Sequence, residues 1–325
     1  MADYINIRGQ NIEVVASDPA NPTQGQIWYN STSNTLKGLG YAAAAWATGN
    51  NMNTARQGPA GAGTQTAALA FGGYTGSNTG ATEEYDGTSW VNSNPLNTTR
   101  RGLGGCGTQT AGLAFGGFLP PITGATEEYD GNSWATSPGS LNTPREDLRG
   151  CGIQTAALAF GGYNVPLGGN LTATEEYNGT SWTNNPTGLN TARRKLGTAG
   201  TQTAALGFGG YATNYSTATE EYDGSSWTTS PGSLNTARSE LGGDGTQTAA
   251  LAFGGQTTVY FAATEEYNGS SWTSVNSMNT ARGDLTGCGI QTSALAFGGA
   301  DPGGISAATE EWTGAGPVTK TITAY

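Results

Sequence analysis

The residues with most chemical promise in this chain are carboxylates set side by side. A glutamate pair occurs six times, at Glu83-Glu84, Glu127-Glu128, Glu175-Glu176, Glu220-Glu221, Glu265-Glu266 and Glu310-Glu311. Two carboxyl groups can divide the acid and nucleophile or base roles of glycoside hydrolysis. That chemistry needs both groups to flank one bond, whereas each pair lies in Ala-Thr-Glu-Glu-Tyr or Ala-Thr-Glu-Glu-Trp, a strand-like run whose neighbouring side chains point to opposite faces. Sixfold repetition also suits architecture better than an active site. The 325 residues include no histidine, which removes Ser-His-Asp chemistry and most zinc sites. No catalytic residue, metal or cofactor is therefore expected.

Composition narrows the class further. With 24 acids against 13 bases and a formal charge of -11, the chain lacks the basic patch of a nucleic-acid binder. Its 53 glycines follow no triplet period, so a collagen-like helix is excluded, and only 11% of residues are charged, too few for a charge-solvated tail or coiled coil. The first residues, Met1 to Arg8, have no apolar signal-peptide region, and Ala42 to Ala45 is far too short to span a membrane. No membrane insertion is expected.

The elements that must position these groups come from a repeat. Its core reads Gly63-Thr-Gln-Thr-Ala-Ala-Leu-Ala-Phe-Gly-Gly73, then a variable stretch, Ala81-Thr-Glu-Glu-Tyr-Asp-Gly-Thr-Ser-Trp90, and Asn97-Thr-Thr-Arg100. Gln65, Gln109, Gln154, Gln202, Gln247 and Gln291 recur at spacings of 44, 45, 48, 45 and 44, and the arginines ending Asn-Thr-x-Arg keep the same spacings. Each copy predicts four short strands: a slender run such as Leu103 to Gly107, an apolar run stopped by a double glycine, the Thr-Glu-Glu-Tyr strand, and a strand opened by Trp after an Asp/Asn-Gly turn. Four strands in about 40–50 residues is the sequence form of a propeller blade. Six arginines, Arg56, Arg100, Arg145, Arg193, Arg238 and Arg282, match the six glutamate pairs in number. Both faces of a blade are covered by its neighbours, so at least one glutamate of each pair must be partly buried and needs a partner. One ion pair per blade is expected, with the second glutamate as partner: Glu84, Glu128, Glu176, Glu221, Glu266 and Glu311.

Arginine, a small or apolar run, a double glycine, Tyr-Asp and a Trp five residues after the Tyr together resemble the kelch motif, over about Tyr41 to Gly316. The resemblance implies an all-β, six-bladed kelch-like β-propeller. Two departures are the glutamates, where kelch strands usually carry apolar residues, and the missing histidine after the arginine. Asp-Gly-x-Ser-Trp is also similar to the Asp-box of sialidase propellers, but the arginine cluster of that family has no counterpart, and copper chemistry of the galactose-oxidase type would need histidines. The last copy lacks its own fourth-strand Trp, whereas Tyr41 to Trp46 keeps the Tyr-to-Trp spacing. An N-terminal strand is thus expected to close the ring. The domains expected are an attachment segment at 1–39, the propeller at 40–317 and a C-terminal strand at 318–325 that pairs with the leader.

In the leader, Ile5, Ile7, Ile12, Val14 and Val15 suggest a short strand or two, and Gly25-Gln26-Ile27-Trp28-Tyr29-Asn30 with Thr35-Leu-Lys37 reads as a hairpin. Together with Ser17 to Thr23 this run looks like the N-terminal leader of structural proteins of tailed, especially marine, bacteriophages. The resemblance implies a non-enzymatic virion protein, such as a tail-fibre or decoration protein used in host attachment, assembled in the host cytoplasm and able to form a homo-oligomer on the particle. Ile27, Trp28 and Tyr29 are expected to dock to other virion proteins. The loops after each double glycine differ in every copy and carry Tyr74, Phe118, Leu119, Tyr163, Tyr211, Tyr215, Tyr260 and Phe261, an expected partner-binding face for host glycan or protein. A cellular kelch-type protein-interaction scaffold and a glycan-active enzyme are the alternatives. Cys106, Cys151 and Cys288 share one repeat position with Ala62, Ala199 and Asp244, which reads as a demand for a small residue beside the central channel.

Overall fold

The computed structural model of the chain describes residues 12–322; Ile5 and Ile7 lie outside them. The described residues form strands, turns and one short 3-10 helix at Val165–Leu167. They divide into a small unit drawn from both chain ends, up to Ala44 and from Gly314, and a large unit from Ala45 to Thr313.

The large unit is a six-bladed β-propeller. Each blade is an antiparallel four-stranded sheet, as in Ala60–Thr64, Ala67–Phe71, Thr82–Tyr85 and Trp90–Ser93 for the first. The sixth consists of Thr286–Ile290, Ser293–Phe297, Thr309–Thr313 and, as its outer strand, Ala45–Thr48 from the N-terminal side. Ring closure by an N-terminal strand is therefore as expected, with one adjustment. Tyr41 is 59% exposed and belongs to the small unit, and blade six's tyrosine position is filled by Trp312, which pairs directly with Trp46. The ring runs from 45 to 313 instead of 40 to 317.

The repeat pattern is spent on holding blades together. Each motif glutamine donates to two carbonyls of the preceding blade: Gln154 to Gly112 and Tyr129, and Gln65, across the closure, to Ala294 and Trp312. Each outer-strand tryptophan donates its indole N–H to a threonine of the preceding blade, as Trp182 does to Thr126 Oγ1 at 2.9 Å. The same ring packs against the preceding blade's phenylalanine, Phe115 for Trp182, with centroids 4.9 Å apart. The slender innermost strands follow from sterics. A Cβ on Gly150 would lie 2.2 Å from the Phe115 ring, so only glycine lets that ring in.

The small unit is a four-stranded sheet. Glu13–Val15 runs parallel to Ile27–Asn30, which forms the expected hairpin with Thr35–Ala42, and Gly316–Thr321 pairs antiparallel with the latter. The leader and C-terminal strand thus pair as the sequence predicts. Trp28 is wholly buried here, its indole N–H given to Asp18. Asp18 also takes Lys37 and Asn30, and those bonds, Lys37 foremost, hold its carboxyl down to about 2. Trp28 is therefore a core residue of this unit rather than a docking residue, because the hairpin needs an apolar centre; Ile27 and Tyr29 are half-buried.

Candidate functional site

The glutamate pairs are divided between the two faces of each third strand. In all six blades it is the first glutamate, Glu83, Glu127, Glu175, Glu220, Glu265 or Glu310, that meets the arginine, at 2.5–3.1 Å. The sequence assignment to Glu84, Glu128, Glu176, Glu221, Glu266 and Glu311 is thereby corrected. The reason is alternation: the first glutamate faces the segment carrying the arginine that precedes its blade, and the second faces the next blade. Both partners are fully buried. Glu175 also accepts from the backbone N–H of Asn142 at 2.7 Å and of Thr143 at 3.2 Å, so the Asn-Thr-x-Arg motif wraps one carboxylate. Burial draws the Arg145 guanidinium below its ordinary value, and Glu175 opposes that shift.

Five of the second glutamates accept a phenol from the following blade, as Glu128 does from Tyr177 at 2.5 Å and Glu84 from Tyr129 at 2.5 Å. Glu266 is the exception, because Trp312 stands at the tyrosine position and gives its indole N–H to Gln291. Burial, with the neighbouring carboxylate second, pushes Tyr129, Tyr177 and Tyr267 up to about 12. A phenol raised above its unfolded value near 10 contributes stability that is complete below pH ~10 and lost as pH climbs toward the folded value. Alkaline unfolding is therefore expected between about pH 10 and 12. Tyr177→Phe should flatten that pH dependence in denaturant melts; an unchanged slope would count against the phenol–carboxylate link.

These buried groups are engaged with one another. The central channel is a cavity of about 150 Å³ walled by glycines and small apolar residues with Cys106, Cys151, Cys288, Arg149, Thr198, Thr286 and Asp244. Burial raises all three thiols, Cys151 to about 12, and Asp244 well above the carboxylate range. A raised thiol is a poor nucleophile and metal ligand. Among the described residues no cluster of His, Cys, Asp and Glu could hold a metal.

A larger cavity, about 620 Å³, opens at one mouth of this channel, on the face of the variable loops. Two rings of residues, the first and second after each motif arginine, supply most of its lining, from every blade but the fifth. The first bridges to the opening residue of the variable loop: Gln57 to Tyr74, Arg101 to Phe118, Glu146 to Tyr163, Arg194 to Tyr211, Ser239 to Gln256 and Gly283 to Ala300. The second, Gly58, Gly102, Asp147, Lys195, Glu240 and Asp284, is left-handed throughout, with φ between 53° and 60°. Its amides are linked around the mouth, as Lys195 N–H to Asp147 O and Asp284 N–H to Glu240 O, both 2.9 Å. A left-handed residue other than glycine costs roughly 1–2 kcal/mol. Two blades avoid that strain with glycine, and four bear it in order to place a charged side chain at the mouth.

The expected loop residues are partly brought together here. Arg101 lies between the rings of Tyr74 and Phe118, at 5.0 and 4.9 Å, and Arg194 between those of Tyr163 and Tyr211, at 4.2 and 5.3 Å. Tyr215 stacks edgewise on Tyr211 and Tyr260 packs beside Gly283. Tyr74 and Tyr163 line the cavity; Phe118, Leu119, Tyr211, Tyr215, Tyr260 and Phe261 do not. All eight are half-buried instead of fully displayed, and the most exposed apolar loop residues are Val165, Leu167 and Val259. Sequence reasoning missed Arg101, Glu146, Asp147, Arg194, Lys195 and Asp284, although alignment of the repeats puts all six in the two columns after the motif arginine. Lys195 pairs with Glu240. Burial works against its charge, but Asp147, Asp284 and Glu240 outweigh that and raise its pKa.

This fold, with its mouth cavity and narrow hub, places the molecule among β-propellers. It is similar to the solved structure of YjhT, with a TM-score of 0.68 over 83% of this chain and 99% of that one, at 11% sequence identity. The likeness is one of fold. No protein-family model matches the chain, and no curated protein matches it in sequence.

Proposed function

We propose that this protein is a non-enzymatic binding propeller of a tailed-phage particle, holding to the virion through its small unit and contacting host surface or neighbouring virion proteins through the loop face. The observation that carries the reading is a division of roles along one chain. Almost every repeated polar residue is consumed in bonds within and between blades, while the variable residues just after the motif arginines gather around one cavity. Burial raises the three hub thiols, and the motif arginines occupy the first glutamate of every blade, which favours binding over turnover. The virion assignment is supported by the leader's resemblance to phage structural proteins.

A chain lacking residues 1–39 keeps the closing strand Ala45–Thr48 and is expected to fold, with a propeller-like circular dichroism spectrum. It should be missing from purified particles that incorporate the full chain. Undiminished incorporation of the truncated chain would refute the docking role.

A further inference from the structure

The mouth cavity has a charge pattern that selects a kind of ligand. Passing around the ring, the second repeat contributes a donor, Arg101; the third contributes acceptors, Glu146 and Asp147; the fourth contributes donors, Arg194 and Lys195; and the sixth contributes an acceptor, Asp284. The guanidinium groups of Arg101 and Arg194 rest on aromatic rings without a hydrogen-bonded carboxylate, which fixes their planes and leaves their N–H edges available. The motif arginines differ, since each lies against a glutamate. Donor-only and acceptor-only groups therefore alternate around the opening and are not segregated to two poles.

That alternation discriminates. A sulfate or phosphate would gain three cationic groups, Arg101, Arg194 and Lys195, but face as many carboxylates interleaved with them. A zwitterion would need one positive and one negative wall. A neutral polyol suits alternating partners, because each hydroxyl both donates and accepts. We propose that the mouth cavity binds a neutral saccharide unit, with hydroxyls given to Glu146, Asp147 and Asp284 and ring or hydroxyl oxygens accepting from Arg101, Arg194 and Lys195. Polar groups in a concave site of several hundred Å³ are how small ligands are oriented. This deepens the loop-face reading and rests on it for the source of the saccharide, a surface glycan.

The test uses the full chain and saturation-transfer NMR with calorimetry. The probes are glucose, galactose, mannose, N-acetylglucosamine and their common disaccharides, set against inorganic sulfate and glycine betaine. At least one neutral saccharide should bind at millimolar concentration, and sulfate and betaine should not compete. Asp284→Gly copies the glycines that the first two blades use at this position, so it relieves left-handed strain while removing the acceptor. It should weaken saccharide binding by about tenfold or more, and because Asp284 is also the foremost counter-charge of Arg149, circular dichroism of the variant checks separately that the fold is kept. Val259→Ala, on an exposed loop position outside the cavity, should leave binding unchanged. Failure of every neutral saccharide, preferential binding of sulfate or betaine, or full affinity in Asp284→Gly would each overturn the proposal. Particle incorporation is measured separately, so failure here is distinct from failure of the virion assignment.

Discussion

Replacing Glu175 with alanine should destabilise the propeller by about 3–5 kcal/mol, and the chemically identical change at Glu176 by only about 1–2 kcal/mol. The two residues are adjacent and both look like half of one motif, yet they do different work. Glu175 has no exposed surface and holds the buried Arg145 at 2.5 Å together with the amides of Asn142 and Thr143. Its loss strands a cation and two donors inside the protein. Glu176 is half-buried and accepts from Tyr222 and Asn185 at a position water can reach. Even replacing both Arg145 and Glu175 with apolar residues should not restore stability, because the two amides would still lack an acceptor. Urea unfolding of the two single variants and the double variant measures all three terms. Equal losses at 175 and 176 would show that the ion pair is not the buried brace described here.

Trp46→Ala is expected to be the most disruptive single truncation, and more so than its blade-three equivalent, Trp182→Ala. By area the two are alike, 6% and 5% exposed, each with a 2.9 Å indole hydrogen bond and a phenylalanine of the preceding blade against the ring. Truncating a buried tryptophan costs about 3–5 kcal/mol in either place. What differs is the strand beneath. Trp182 lies on a strand continuous with its own blade, whereas Trp46 anchors the four-residue closing strand contributed from the far end of the ring. Once Ala45–Thr48 detaches, Thr309–Thr313 becomes an open edge, and open edges recruit other strands. Trp46→Ala should therefore form concentration-dependent oligomers by size-exclusion chromatography at temperatures where Trp182→Ala is monomeric. Matching elution of the two variants would argue against the closing strand as the ring's fastening.

Much of this architecture was legible because repetition turned weak local signals into strong ones. Six copies fix the blade, and the short sixth copy shows where the ring must close. The leader hairpin and the C-terminal strand followed from alternation. The particular glutamate did not. Alternation says that Glu175 and Glu176 face opposite ways, but which side Arg145 approaches from is a property of the inter-blade segment. Tyr41 misled for a related reason: its spacing to Trp46 imitates the repeat, while Trp312 already fills the tyrosine's place within the sixth sheet. The mouth residues escaped because nothing local announces a left-handed backbone at Lys195 or Glu240. Yet of the seven bases outside the motif arginines, four (Arg101, Arg149, Arg194 and Lys195) fall within four residues after a motif arginine, a concentration the aligned repeats display.

The two rings at the mouth also bear on how such a protein could diversify. Each blade carries one residue pair to the opening and one variable loop beside it, framed by Thr-Gln-Thr-Ala-Ala-Leu-Ala-Phe-Gly-Gly or a near copy. Unequal crossing-over between such similar stretches would exchange whole blades in frame, and every exchange would bring a new pair of mouth residues already seated in the correct backbone conformation. The frame thus serves as a set of interchangeable cassettes, in which recognition can be reshuffled by recombination without redesign of a single interface.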